Sequence, residues 1–255
     1  MKSNTACVLA CVVAMACAAY AGPYEVIPTT EPIVVDGKMD EAVWEKAEPI
    51  TDFIRWWTAD TKAATRTAAR LCSDENYIYA FFECDDPDLF TKYDQRDGYL
   101  WESDVVEFFF QPDAECTMYY EIEAAPNGAI LDARFPRVGA PGGINRWSQW
   151  NCNIKIAVQV NGTLNDGKDK DKGYTVEMAI PRETFIEVIG DAPLEGQTWR
   201  FAAVRMELST WEAEAQLPLF VAKEGRERMS NVPCADGNLH AKILEKNGWA
   251  TLTFK

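Results

Sequence analysis

A succession of short β-branched and aromatic runs, each ended by turn residues, restricts this chain more than any other feature. They fall at residues 33–35, 65–71, 77–84, 104–110, 118–124, 129–135, 153–160, 174–180, 199–208 and 249–254. Many short strands at such spacing, without long helical patterns between them, predict an all-β fold. The expected architecture is an antiparallel β-sandwich, jelly-roll-like, with one or two short helices. One helix is expected at 41–47, capped by Asp40, and one at 181–189, with Pro181 in its first position and Gly190 just past its end. Ser73-Asp74-Glu75-Asn76 has the length of a four-residue hairpin loop. The 9 Trp, 9 Tyr and 12 Phe in a chain that is 47% hydrophobic supply a real core and exclude a disordered chain.

The charge balance narrows the partners. Lys and Arg number 25 against 40 Asp and Glu, a formal charge of -15. No excess of cations is present to displace phosphate counterions, which argues against nucleic-acid binding and against docking on an anionic membrane. A single His leaves little scope for His-rich metal sites or His-based catalysis. Met1-Lys2, the apolar run 6–18 and Ala19-Tyr20-Ala21 read as a signal peptide of residues 1–21, so a secreted chain, extracellular or periplasmic, is expected. Residues 22–255 show no repeat, linker or composition break and read as one domain. Beyond the leader, Cys72, Cys84, Cys116, Cys152 and Cys234 lack Cys-x-x-Cys spacing, which excludes a zinc ribbon. Disulfides and buried thiols both remain open.

Strand alternation selects the candidate functional side chains. In 101–110, Glu107 shares a face with Ser103, Val105 and Phe109. In 119–123, Glu121 and Glu123 fall together, and in 201–207, Arg205 and Glu207 do. If these strands are neighbours, Arg205 is placed to bridge the carboxylates. Acids and a guanidinium make strong hydrogen bonds to hydroxyls, and flat rings cover the apolar face of a pyranose. The same residues also suit a solvated, internally paired charged face.

Asp36-Gly37-Lys38-Met39-Asp40-Glu41-Ala42-Val43-Trp44 resembles the opening of family 9 carbohydrate-binding modules. Ser73 to Tyr79, Asp86-Pro87, Trp101 to Phe109 and Tyr174 to Pro181 follow in the order of that family and extend the resemblance over roughly residues 30–210. The resemblance implies a β-sandwich that binds polysaccharide or oligosaccharide without catalysis and is often associated with polysaccharide-degrading enzymes. It implies Trp101 as a stacking platform and Glu107 as a polar contact, with Trp211 or Trp249 as candidates for a second platform. Glu121, Glu123 and Arg205 are expected in the polar floor. The family arginine on the following strand falls near Glu121, where this chain has acid. Six extended residues separate Trp101 from Glu107, about 20 Å at the usual rise. Either Trp101 folds back over the sheet or the ligand spans several sugars.

Structural calcium is implied in some family members, and Asp86 and Asp88 in the turn Asp85-Asp86-Pro87-Asp88 offer oxygen ligands for it. A glycoside hydrolase would need two carboxyls across a cleft, for which Glu121 and Glu123 are the candidates. Haem, held by His or Met in related sandwiches, finds His240 alone and Met118, Met178 and Met206 alternating as core residues do. A protein-interaction domain using the acidic face is a further alternative. Trp56-Trp57 and Trp147 with Trp150 are additional candidate platforms.

Overall fold

A computed structural model describes residues 23–51, 53, 65–137, 139–208, 227–230 and 250–255. Among the described residues eleven strands appear in chain order: β1 (Tyr24–Pro28), β2 (Thr67–Ser73), β3 (Tyr77–Asp85), β4 (Val105–Gln111), β5 (Tyr119–Ala124), β6 (Ile130–Phe135), β7 (Lys155–Asn161), β8 (Gly173–Pro181), β9 (Thr198–Glu207), β10 (Glu227–Ser230) and β11 (Ala250–Phe254). They hydrogen-bond in the order β6-β5-β4-β9-β11-β1-β2-β3-β8-β7, with β10 also on β9. The sheet is mostly antiparallel and curls into a sandwich. Strand β1 makes the turn between layers. Tyr24 to Val26 run parallel to β11, and Ile27 and Pro28 run parallel to β2. The expected strand at 33–35 is absent, because those residues form an extended approach to the helix α1 (Ala42–Lys46).

The layers meet over an aromatic core. Phe82 of β3 contacts Phe108 of β4 at 4.8 Å between ring centroids. From there Phe110, Phe185, Trp199 and Phe254 continue the chain of rings to one end of the sandwich. Phe185 comes from a 3-10 turn (Arg182–Phe185) followed by α3 (Ile186–Ile189), so the expected second helix forms only as this short plug. Met178 lies in this inter-layer core and Met118 packs against it, whereas Met206 lies in a separate cluster, so the three do not converge as haem ligands would. Trp150 packs on Tyr120 at 5.5 Å beside the same core.

Two of the segments that carry the resemblance to family 9 modules lock together. Glu177 of β8 accepts the N–H groups of Asp36 and Gly37, both at 2.9 Å, and the Trp44 indole N–H at 3.3 Å. Gly37 sits at φ +82, where a Cβ would come within 3.0 Å of the Gln159 side chain. The N-cap position of α1 is Glu41 rather than the expected Asp40, and the Glu41 carboxylate accepts from Val34 N–H and the Trp44 indole instead of capping the helix. Glu177→Ala is expected to cost about 3 kcal/mol, since it strands buried donors that bonded a carboxylate. The melting temperature should fall by roughly 6–12 °C at this chain length; thermal denaturation by circular dichroism checks it.

Cys72, Cys84, Cys116 and Cys152 are free thiols, and Cys234 lies outside the described residues. Burial pushes the Cys84 thiol up to about 11 and Cys72 and Cys152 higher still, so these three act as small core residues. No helix among the described residues is long and apolar enough to cross a membrane.

Candidate functional site

The outer face of the β6-β5-β4-β9 layer gathers most of the expected site residues. Register puts Glu107 directly opposite Glu123, and Phe109 opposite Glu121. On β9, Val204 stands opposite Glu107 and Arg205 opposite Val106. The strands are neighbours as expected, but alternation sends Arg205 to the other face. Arg205 therefore does not bridge the three glutamates, and the expectation is corrected by a one-residue register difference.

Arg205 instead fastens the two layers. It is fully buried and donates to the Asp86 carboxylate at 2.8 Å, to the Asp85 carbonyl at 2.8 Å and to the Thr67 hydroxyl at 3.1 Å. Its guanidinium lies 5.6 Å from the Tyr174 ring. Both Asp86 oxygens are engaged, one by Arg205 and the other by the Asp88 N–H at 3.0 Å. Asp86 and Asp88 are both buried. This commits Asp86 to the layer contact. Burial, then the charges of Asp86 and Glu207, holds Asp104 well above the usual carboxylate range.

Trp101 is folded back over the outer face. It sits in a 3-10 turn (Leu100–Glu102) and packs, half-buried, with Tyr93, Ile144 and Trp147 on the cluster that contains Val105, Phe109 and Val204. Trp147 closes α2 (Ile144–Trp147), with the Arg146 guanidinium 4.8 Å from its ring. The 20 Å that full extension would impose between Trp101 and Glu107 is thus removed by the turn.

Polar contacts hold this turn from both sides. Lys92 N–H donates to the Ser103 hydroxyl at 2.8 Å, and the Tyr93 hydroxyl donates to Glu102 at 2.7 Å. Asp97 N–H donates to the Ile130 carbonyl at 2.9 Å. The buried Asp132 carboxylate takes the Arg96 guanidinium and the Cys152 N–H, linking the segment before Trp101 to β6. Tyr99 lies 4.9 Å from Trp101, is 37% exposed, and accepts from Asn145 at 3.0 Å. Tyr99 and Trp101 form a two-ring ledge, their planes tilted by 41°, with Tyr99 exposed and Trp101 half-buried. Sequence reading had Trp101 but missed Tyr99; its signal was the aromatic spacing of Tyr93, Tyr99 and Trp101 within an otherwise polar stretch.

Beneath this layer lie the carboxyls. Glu107 and Glu121 are 1% exposed and Glu123 is 0% exposed, with one oxygen from each lying within 4.8 Å of the others. Burial, followed by the Glu107 and Glu121 charges, raises the Glu123 carboxyl well above its ordinary range. At this depth none of the three presents oxygens to a sugar on the surface. Hydrolysis would need two carboxyls flanking a bond across a cleft, whereas these three project from one sheet face. Trp211, Trp249, Trp56, Trp57 and His240 lie outside the described residues.

The model of the carbohydrate family 9 binding domain-like family matches residues 35–212, more than half of the chain. The chain belongs to that family. It is thus a non-catalytic carbohydrate-binding module. Endo-1,4-beta-xylanase A of Thermotoga maritima is 33% identical over 154 residues, 59% of this chain and 12% of the xylanase. The aligned stretch is therefore a small part of that enzyme. A family 9 module from Caldicellulosiruptor kristjanssonii, solved with glucose and with cellotriose, superposes with a TM-score of 0.57 in each complex at 16% identity. The match covers 91% of this chain and 95% and 93% of the two solved chains, which shows a common fold.

Proposed function

We propose that this family 9 domain binds short β-linked glucose or xylose oligosaccharides on the Tyr99–Trp101 ledge, as an exported accessory to polysaccharide breakdown. The observation that carries this is the ledge itself: two rings 4.9 Å apart, Tyr99 exposed and Trp101 half-buried where it packs on the cluster below. Flat rings suit pyranoses whose hydroxyls are equatorial, because such sugars present an unbroken apolar face. Asn145 and Glu102, beside the rings, are within the surface layer and offer polar partners for hydroxyls.

The ligand class draws support from the Caldicellulosiruptor module, which binds glucose and cellotriose, and from the Thermotoga xylanase. Export draws support from the signal-like residues 1–21. A glycan array spanning cello-, xylo-, manno- and chito-oligosaccharides tests the proposal. Retention confined to the β-1,4-linked glucose and xylose series supports it. Binding to none of the glycans, or to acidic glycans alone, would overturn it.

A further inference from the structure

We infer that the outer face of the β2-β3-β8-β7 layer carries a second binding site, for a saccharide unit that bears a carboxylate, a hexuronic acid. The site lies on the other layer from the Tyr99–Trp101 ledge and does not depend on what that ledge binds. Register builds its floor. Glu83 of β3 stands opposite Ala68 and Thr175, and Thr175 stands opposite Gln159, so these side chains form one row across four strands. The next row on the same face holds Asp85, Gly173 and Asn161. The N–H groups of Asp85 and Asp86 donate to the carbonyls of Arg66 and Lys172, at 2.9 and 3.2 Å. The end of β3 thus sets Arg66 on one side and Lys172 on the other.

The loop that leads to α1 forms a wall above this floor. The Thr175 hydroxyl donates to the Gly37 carbonyl at 2.6 Å, and the Gln159 amide donates to the Asp36 carbonyl at 2.7 Å. With the Glu177 contacts described above, these bonds fix Lys38 and Met39 along a groove of about 460 Å³. Sites for small molecules span about 300–1,000 Å³, so the groove has room for one or two sugar rings. Met39 and the exposed Val160 give it apolar surface, while Asn161 and the free oxygen of Gln159 offer partners for hydroxyls. That mixture suits a pyranose, which presents both kinds of surface.

Charge selects the kind of sugar. The chain carries -15, yet Lys38, Arg66 and Lys172 line this groove against Glu83 and Asp85, three cations to two acids. Glu83 is already taken by Arg70 at 2.7 Å and, more distantly, by Arg66 at 3.6 Å. Lys38 is paired with Asp36 at 2.6 Å. Arg66 and Lys172, both exposed, therefore keep donors for an incoming anion. A guanidinium fork matches a carboxylate in shape as well as charge. A neutral sugar would leave these cations unused, and a simple anion would leave the amide side chains unused.

The test uses the full chain, 15N-labelled and titrated with sodium glucuronate and with trigalacturonate. Glucose and inorganic phosphate serve as the matched sugar and the matched anion. Saturable shifts of the backbone signals of Lys38, Gln159, Asn161 and Lys172 are expected with at least one uronate, weakening as salt is added. At those positions either control should bind at least about tenfold more weakly, having lost one set of contacts. Arg66→Gln and Lys172→Gln change exposed side chains and are expected to fold. Together they should weaken uronate binding at least about tenfold, with the response of the Trp101 indole signal to cellotriose unchanged. The inference fails if neither uronate moves these signals, or if the double variant binds like the parent. It fails too if phosphate binds as tightly as the uronates, which marks a general anion patch, or if the uronates move only residues 99–102. Cellotriose reports on the ledge and the uronates on the groove, so failure of one reading is distinct from failure of the other.

Discussion

Arg205→Ala is expected to destabilise the domain by about 3–5 kcal/mol, the largest effect of any single substitution at a charged residue here. The guanidinium is fully buried and reaches from β9 to the ends of β2 and β3, so it ties one layer to the other. Its removal strands the buried Asp86 carboxylate and takes the positive charge away from the buried Asp104 beside it. The melting temperature should fall by roughly 6–20 °C for a chain of this length. Arg205→Lys keeps the charge but loses the planar fork, and so is expected to fall between the parent and the alanine variant. Equal stability of all three would remove the layer-fastening role. Thermal and urea denaturation read the difference, and the urea slope reports whether the compactness of the two states is preserved.

Trp101→Ala is expected to weaken binding of the cognate oligosaccharide by roughly 30-fold or more, an anchor contribution of at least about 2 kcal/mol. The indole offers the largest flat surface on the ledge, and its outer side is where a pyranose face would lie. Because the inner side packs on the Val105 and Phe109 cluster, some stability is lost as well, about 1–2 kcal/mol for a half-buried ring. The two effects are separable. Affinity is measured at a temperature where both variants are folded, and Tyr99→Ala should show a smaller loss at nearly unchanged stability. A Trp101→Ala protein that binds with parent affinity would place the sugar elsewhere.

The strand pattern was legible because burial writes alternation into the sequence. Nine of the expected runs became strands within a few residues of their expected bounds. The hairpin at Ser73 to Asn76 was equally readable, and Asp74 explains it by accepting the N–H groups of Asn76 and Tyr77, both at 2.7 Å. Strands β1 and β10 were not legible. Tyr24 to Pro28 is five residues long and finds its partners through parallel pairing with segments distant in sequence, about which local pattern says nothing.

Which candidate residues share a face was legible within each strand but not between strands. Face-sharing within a strand follows from alternation, so Glu121 with Glu123 and Arg205 with Glu207 were correctly grouped. Face-sharing between strands depends on register, and a shift of one residue reverses it. That is how Arg205 came to be expected beside Glu107 while it stands opposite Val106. The depth of the glutamates was hidden for a related reason. Trp101, Ile144 and Trp147 pack on the apolar cluster of the same face, and their folding back over the sheet is a tertiary event. Tyr99 escaped notice because its exposure, not its residue type, makes it a binding surface.

Saccharide contact with the Trp101 ledge is tested most directly by following the indole N–H resonances of 15N-labelled protein during titration with cellotriose and xylotriose. Saturable movement of the Trp101 indole signal, together with backbone signals of residues 99–102 and 145, is the expected result. Shifts confined to the outer face of the other layer, around Phe81 and Glu83, or no shift at any concentration of either sugar, would contradict it.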